Sequence, residues 1–259
     1  MESVYNFNMT ELLAFGLVLL RMTGFVVAAP IIGTVNVQVS AKVLLALCMT
    51  FIIFPQVGWQ QLTADIESSA IITLAVKEMF IGFSFGFLAR MFFQVVTMAG
   101  QIMSVSLGLS AAQLFNPSMG ETSTALDQFY VILASLFFLS INGHHLLIDG
   151  IFETFQIVPI TKISISLNGL QEFGVVTQKI MAIALKMSAP ILVAILFMNV
   201  AIAVIGRAVP QINILITSLP INAMAGFFVM FVCLPLLIWQ MTDLLNVTTA
   251  ELFKLIKSY

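Results

Sequence analysis

Seven apolar runs dominate the chain, at residues 12–32, 43–57, 70–93, 95–115, 125–148, 180–205 and 212–239. Most reach the ~20 residues needed to cross the hydrocarbon core of a bilayer; the second is shorter. A typical soluble domain carries ~25% charged residues. This chain carries 8%, with 60% hydrophobic residues and a mean hydropathy of +1.09. A soluble fold of 259 residues cannot hide that much apolar surface, and the short alternating strands of a membrane barrel do not occur. The sequence therefore predicts an all-α integral membrane protein.

Several function classes fall away at once. The net charge of −2 carries no partner signal, and no strongly basic face points to nucleic acid. Cys48 and Cys233 lie in apolar runs and read as small buried hydrophobes. No Cys/His spacing suits a metal. There is no Walker loop, no GxSxG, no HExxH and no pair of mid-helix aspartates, so no catalytic residue is assigned. The first run is longer than a signal-peptide core and is interrupted by Arg21, with no basic residue before it, so it is expected to be retained. If all seven runs cross with the N-terminus outside, the outer loops hold one basic residue, Arg207. The inner side then receives Lys42, Arg90, Lys162, Lys179, Lys254 and Lys257, in keeping with the inward bias of positive charge. The third and fourth runs have almost no loop between them. They form either a tight hairpin or one long bent helix, and the parity of crossings depends on which.

Charges and small residues inside the runs mark contact faces. Arg21 sits mid-run, where a charge should face protein or snorkel to an interface. Pro30 and Pro55 are expected to end or kink their helices. Glu78, Gly82, Gly86 and Arg90 are spaced four apart and form one slowly drifting helix stripe. Gly82 and Gly86 make a GxxxG pair, which lets backbones approach closely in lipid. Gly100, Ser104 and Gly108 repeat the spacing. Glu78 and Arg90 are about 18 Å apart along a straight helix, so each needs a partner elsewhere or a place at an interface.

Four segments are more polar. Residues 106–127 contain Asn116-Pro117, a turn or break signal, with Thr122 or Ser123 as an N-cap for the next helix; this segment is either an exposed loop or one folded inward to obstruct a pore. Asn142-Gly143-His144-His145 lies near the end of the fifth run. Its adjacent histidines point in different directions and cannot chelate as an i, i+4 pair does; interfacial hydrogen bonding, or a proton relay with Asp149, fits them better. Residues 159–178 read as an extramembrane helix or loop. The tail after Trp239 reads as an amphipathic helix, with Leu244, Val247, Leu252 and Leu255 on its apolar side. Residues 206–228 join two of the longest runs and carry Arg207, Pro210, Gln211, Asn213 and Pro220 where continuous apolar chain is expected. Such residues survive at membrane depth where they face protein or a water-filled cavity, so a structural joint inside an assembly is expected there.

Taken in order along essentially the whole chain, Arg21 with Pro30, the Gly82–Gly86–Arg90 stripe, Phe115-Asn116-Pro117, Asn142-Gly143-His144, and Arg207 with Pro210-Gln211-Ile212-Asn213, Pro220 and Gly226 resemble the FliR/SctT family of type III export-gate proteins. The resemblance implies long bent helical hairpins that pack into a helical multi-subunit gate in the bacterial inner membrane, within the flagellar basal body. It implies FliP-like and FliQ-like subunits as partners, an FlhB-like protein on the cytoplasmic side, unfolded export substrates, and no cofactor. Residues 1–179 would be the FliP-like part and 180–259 the FliQ-like hairpin with its tail. Residues 106–122 would be the plug loop, with Leu114, Phe115, Asn116, Pro117 and Met119 closing the pore. Arg21, Glu78, Arg90, Arg207, Gln211 and Asn213 would make polar contacts between subunits or within the gate. An injectisome gate subunit is the near alternative. A stand-alone secondary transporter with broken helices is the distant one, and it predicts internal repeats that the sequence does not display.

Overall fold

The computed structural model describes residues 9–34, 37–58, 68–110, 125–160, 168–209 and 214–258. Among them every regular element is helical: α1 (Met9–Ala28), α2 (Val39–Ile53) with a short 3-10 turn (Phe54–Gln56), α3 (Ser68–Ser106), α4 (Ala125–Ser140), α5 (Gly143–Ile157), α6 (Asn168–Ala208) and α7 (Ile214–Ser258). Five helices are long and apolar enough to cross a membrane, or six when the broken pair α4 and α5 counts as one span. The all-helical membrane architecture expected from the apolar runs is what the chain adopts.

The third run and the fourth as far as Ser106 are one helix. Gln94, the lone polar residue between them, is a good helix former and gives no reason to turn, so α3 continues for 39 residues. With α6 at 41 and α7 at 45 residues, three helices reach roughly 60–70 Å, about twice the ~30 Å hydrocarbon core. The fifth run, in contrast, is split. Asn142 adopts φ 57°, a left-handed conformation that Asn tolerates better than most residues, and its carbonyl accepts the first turn of α5 from His145 N–H at 2.9 Å.

The ends of the other helices follow their prolines. Pro30 lies just beyond α1, and Pro55 sits in the 3-10 turn that closes α2. The turn after α1 is tied by Gly33 N–H to the Ala29 carbonyl at 2.9 Å, and the Lys42 ammonium donates to the carbonyls of Gly33 (3.2 Å) and Thr34 (2.8 Å). A lysine capping free carbonyls after a helix is favourable on both hydrogen-bonding and dipole grounds. Pro220 does not break its helix; it lies inside α7, which is described from Ile214 onward, while α6 runs to Ala208. The tail after Trp239 is the continuation of α7, and residues 168–178 are the start of α6. Cys48 is exposed and Cys233 half-buried, so the expectation of two buried cysteines fails: in helices whose outer faces are apolar too, an apolar neighbourhood does not imply burial.

The chain folds as two compact units. One comprises residues 1–91, 141–175 and 248–259, the other residues 92–140 and 176–247. In the first, α1 and α2 pack against each other, and the core includes Val18, Met22, Phe25, Leu74, Ile81 and Ile151. In the second, Val95, Ala99, Met103, Tyr130, Met187 and Ile191 are buried, and Tyr130 Oη donates to Met103 Sδ at 3.0 Å.

Candidate functional site

Close packing of glycines builds the site. α3 turns Gly82 and Gly86 toward α1. A Cβ on Gly82 would overlap the Arg21 carbonyl, and one on Gly86 would lie 2.7 Å from the Phe25 carbonyl oxygen. From the other side, a Cβ on Gly24 would sit 2.6 Å from the Met79 carbonyl oxygen. The stripe is therefore a backbone-to-backbone contact between α1 and α3, the arrangement that small residues permit in membranes. It sets Arg21 beside Glu78, one turn before Gly82.

Arg21 is fully buried and pins three helices together. Its Nε donates to Glu78 Oε2 at 2.5 Å, Nη1 to Thr154 Oγ1 at 3.2 Å and Nη2 to the Val158 carbonyl at 3.0 Å. The guanidinium lies 4.1 Å from the centroid of the Phe155 ring, a cation–π contact. Thr154 Oγ1 donates its hydrogen bond to the Ile151 carbonyl at 2.6 Å, which leaves its oxygen lone pairs free to accept from Arg21. α5 approaches α3 where Gly150 leaves room for the Phe85 ring, whose Cζ would be 2.6 Å from a Cβ there. Only the planar fork of arginine serves these three acceptors at once. A buried pair of this kind roughly breaks even against desolvation, yet breaking it is costly. Its effect is to fix the mutual register of α1, α3 and α5.

Arg21 and Glu78 thus find their partners in each other, inside one chain. Sequence reasoning missed three members of the cluster. Lys77 is 1% exposed, and among the described residues neither its Nζ nor the second Glu78 oxygen has a hydrogen-bond partner. Thr154 and Phe155 complete the set. Gly150 and Thr154 repeat the small-residue spacing of the α3 stripe, and that repeat was the available signal for α5.

The remaining singled-out residues are dispersed. Arg90 and Arg207 are exposed, without an ion pair among the described residues. In the second unit, a Cβ on Gly100 would meet the Tyr130 ring at 3.2 Å, and one on Gly226 would overlap the Leu107 side chain. Gly108 has φ 78° and faces Leu219, and Ser104 is buried. The second small-residue stripe is thus also a helix-packing face. Leu114, Phe115, Asn116, Pro117, Met119, Gln211 and Asn213 lie outside the described residues, as do Thr122 and Ser123. His144 and His145 stack edge-on with ring centroids 4.2 Å apart, and among the described residues no three His, Cys, Asp or Glu side chains form a metal-binding group.

Fold and site together define a polytopic helical membrane protein held by glycine-mediated contacts around a buried ion pair, with little of the α6 and α7 spans buried within the chain. The chain belongs to the bacterial export proteins, family 1, whose model matches residues 12–247. It is 29% identical over 239 residues to the flagellar biosynthetic protein FliR of Bacillus subtilis (strain 168), covering 91% of each chain. To the FliR of Escherichia coli (strain K12) it is 29% identical over 219 residues, covering 85% of this chain and 83% of that one. To the FliR of Caulobacter vibrioides it is 30% identical over 213 residues, covering 81% and 84%.

Proposed function

We propose that this protein is a structural subunit of the flagellar type III export gate, embedded in the bacterial inner membrane within the basal body. The carrying observation is the family match over residues 12–247, joined by relatives named as flagellar biosynthetic proteins that align along most of both chains. The subunit works by packing and sealing, not by catalysis. FliP-like and FliQ-like subunits cover its exposed helices, and an FlhB-like protein binds on the cytoplasmic side. Residues 1–179 take the FliP-like place and residues 180–259 the FliQ-like place. The loop at 106–122 closes the pore with Leu114, Phe115, Asn116, Pro117 and Met119, and unfolded substrates displace it.

The exposed surface of α6 and α7 supports an assembled state. Only 17% of the apolar window of each is buried within the chain, and Arg207 projects from α6 beside exposed Val200, Val204 and Ile205. Polar groups on such a face call for a protein neighbour. The test is native mass spectrometry of the tagged protein, purified in mild detergent from cells co-expressing its neighbouring genes. A single copy in a large complex with two other small membrane proteins is the expected result. A stable lone monomer or homodimer would defeat the reading.

A further inference from the structure

The outward face of α5 sets a stripe of polar and acidic side chains between exposed Leu146 and Ile148. Its inner face, Leu147, Gly150, Ile151, Thr154 and Phe155, is buried. Its outer face carries His145, Asp149, Glu153 and Gln156, all exposed. Their spacing of four, four and three places them along one stripe. No hydrogen bond or ion pair engages either carboxylate among the described residues, and α5 contains no Lys or Arg. Carboxylates facing hydrocarbon are costly, and anionic headgroups would be repelled. The stripe runs into a cavity of about 210 Å³ between the end of α2 and the end of α5. Ile53, Val57, Phe155 and Ile160 give it a buried apolar wall, and Gln56 and Gln156 are its exposed amides. That volume is below the ~300 Å³ where small-molecule pockets begin, and it suits one large side chain.

We propose that this face docks a basic amphipathic helix of a neighbouring membrane subunit. Two Lys or Arg side chains one turn apart meet Asp149 and Glu153, and one large apolar side chain enters the cavity. Charge complementarity selects the partner, and the i, i+4 anchors with a pocketed residue are the usual reading of a helix laid on a protein surface. The inference rests on the multi-subunit reading above. Because Phe155 also stacks on Arg21, the docked side chain would press on the ring that backs the buried ion pair.

The experiment is a photo-crosslinking residue in place of Gln156, in the full chain expressed with the complete export gene set, with adducts mapped by mass spectrometry. It is repeated with Asp149→Lys/Glu153→Lys and with Asp149→Asn/Glu153→Gln. Both carboxylates are exposed and unpaired, so each double variant should melt like the parent in detergent. The expected adduct maps to a segment with basic residues at i, i+4 beside a large apolar one. Charge reversal should lower its yield by about tenfold or more, and neutralisation by less. The proposal is overturned by an adduct on a segment without basic residues, by adducts to lipid alone, by no adduct (a water-filled face), or by yields indifferent to reversal. If the unsubstituted protein still purifies in a multi-subunit complex, such a result sinks the docking face alone; if it purifies by itself, the subunit reading falls first.

Discussion

At the scale of single residues, Arg21 decides how the first unit is held. Replacing it with Met leaves Glu78 buried and unpaired, and should cost about 3–5 kcal/mol, read as a lower thermal midpoint in detergent. The double variant Arg21→Met/Glu78→Met should lose less than Arg21→Met alone; a loss equal to the sum of the two singles would show that the residues do not act as a pair. Arg21→Lys should behave nearly as badly as Arg21→Met, because an ammonium cannot serve Glu78, Thr154 and the Val158 carbonyl in one geometry. That Arg21 and Glu78 need protein partners was legible, since charges in apolar runs have few other options. Their pairing was not. They are 57 residues apart in sequence, and no periodicity within one helix says which neighbour its stripe will meet. Lys77 was invisible for a related reason: the glycine stripe starting at Glu78 drew attention to one face of α3, while Lys77 lies a hundred degrees around the helix from it.

Glycine placement governs the elements. Gly82→Ala should push α1 off α3 and destabilise the protein by about 1–3 kcal/mol, because the new methyl meets the backbone of Arg21 and not a movable side chain. Gly16→Ala is the control. Nothing lies within 4 Å of its Cβ, so it should be neutral or stabilise by up to about 1 kcal/mol through helix propensity. A Gly82→Ala midpoint equal to that of Gly16→Ala would contradict the close contact. At the α4–α5 break, Asn142→Gly should be tolerated and Asn142→Val should cost about 1–2 kcal/mol, since a β-branched residue resists a left-handed backbone; melting both variants checks the order. The sequence announced the glycine faces but misplaced some boundaries. Averaged hydropathy reads 125–148 as one span, although the polar Asn142-Gly143-His144-His145 inside it marks where the helix breaks. Pro220 suggested a joint but is absorbed within a helix, at the cost of one backbone hydrogen bond.

At the scale of the molecule, the export reading predicts a leak. Deleting residues 110–119 should leave assembly intact and raise ion conductance across the membrane, measured as dissipation of an imposed potential; unchanged conductance would remove the sealing role from that loop. All-helical membrane class was plain from composition alone, because 8% charged residues cannot clothe a soluble surface. The division into units was not, since each is assembled from separated stretches of chain, and apolar runs carry no mark of which stretch returns to which. Their interleaving also has a temporal side. Arg21 leaves the ribosome 57 residues ahead of Glu78 and 133 ahead of Thr154, which at ordinary synthesis rates is about 3–11 s and about 7–27 s. For those seconds the newborn first helix carries a charge that its own chain does not yet answer, which makes its release into lipid costlier than that of an uncharged helix. A sheltering surface, the insertion machinery or an already seated neighbour, would lower that cost until the rest of its own chain arrives.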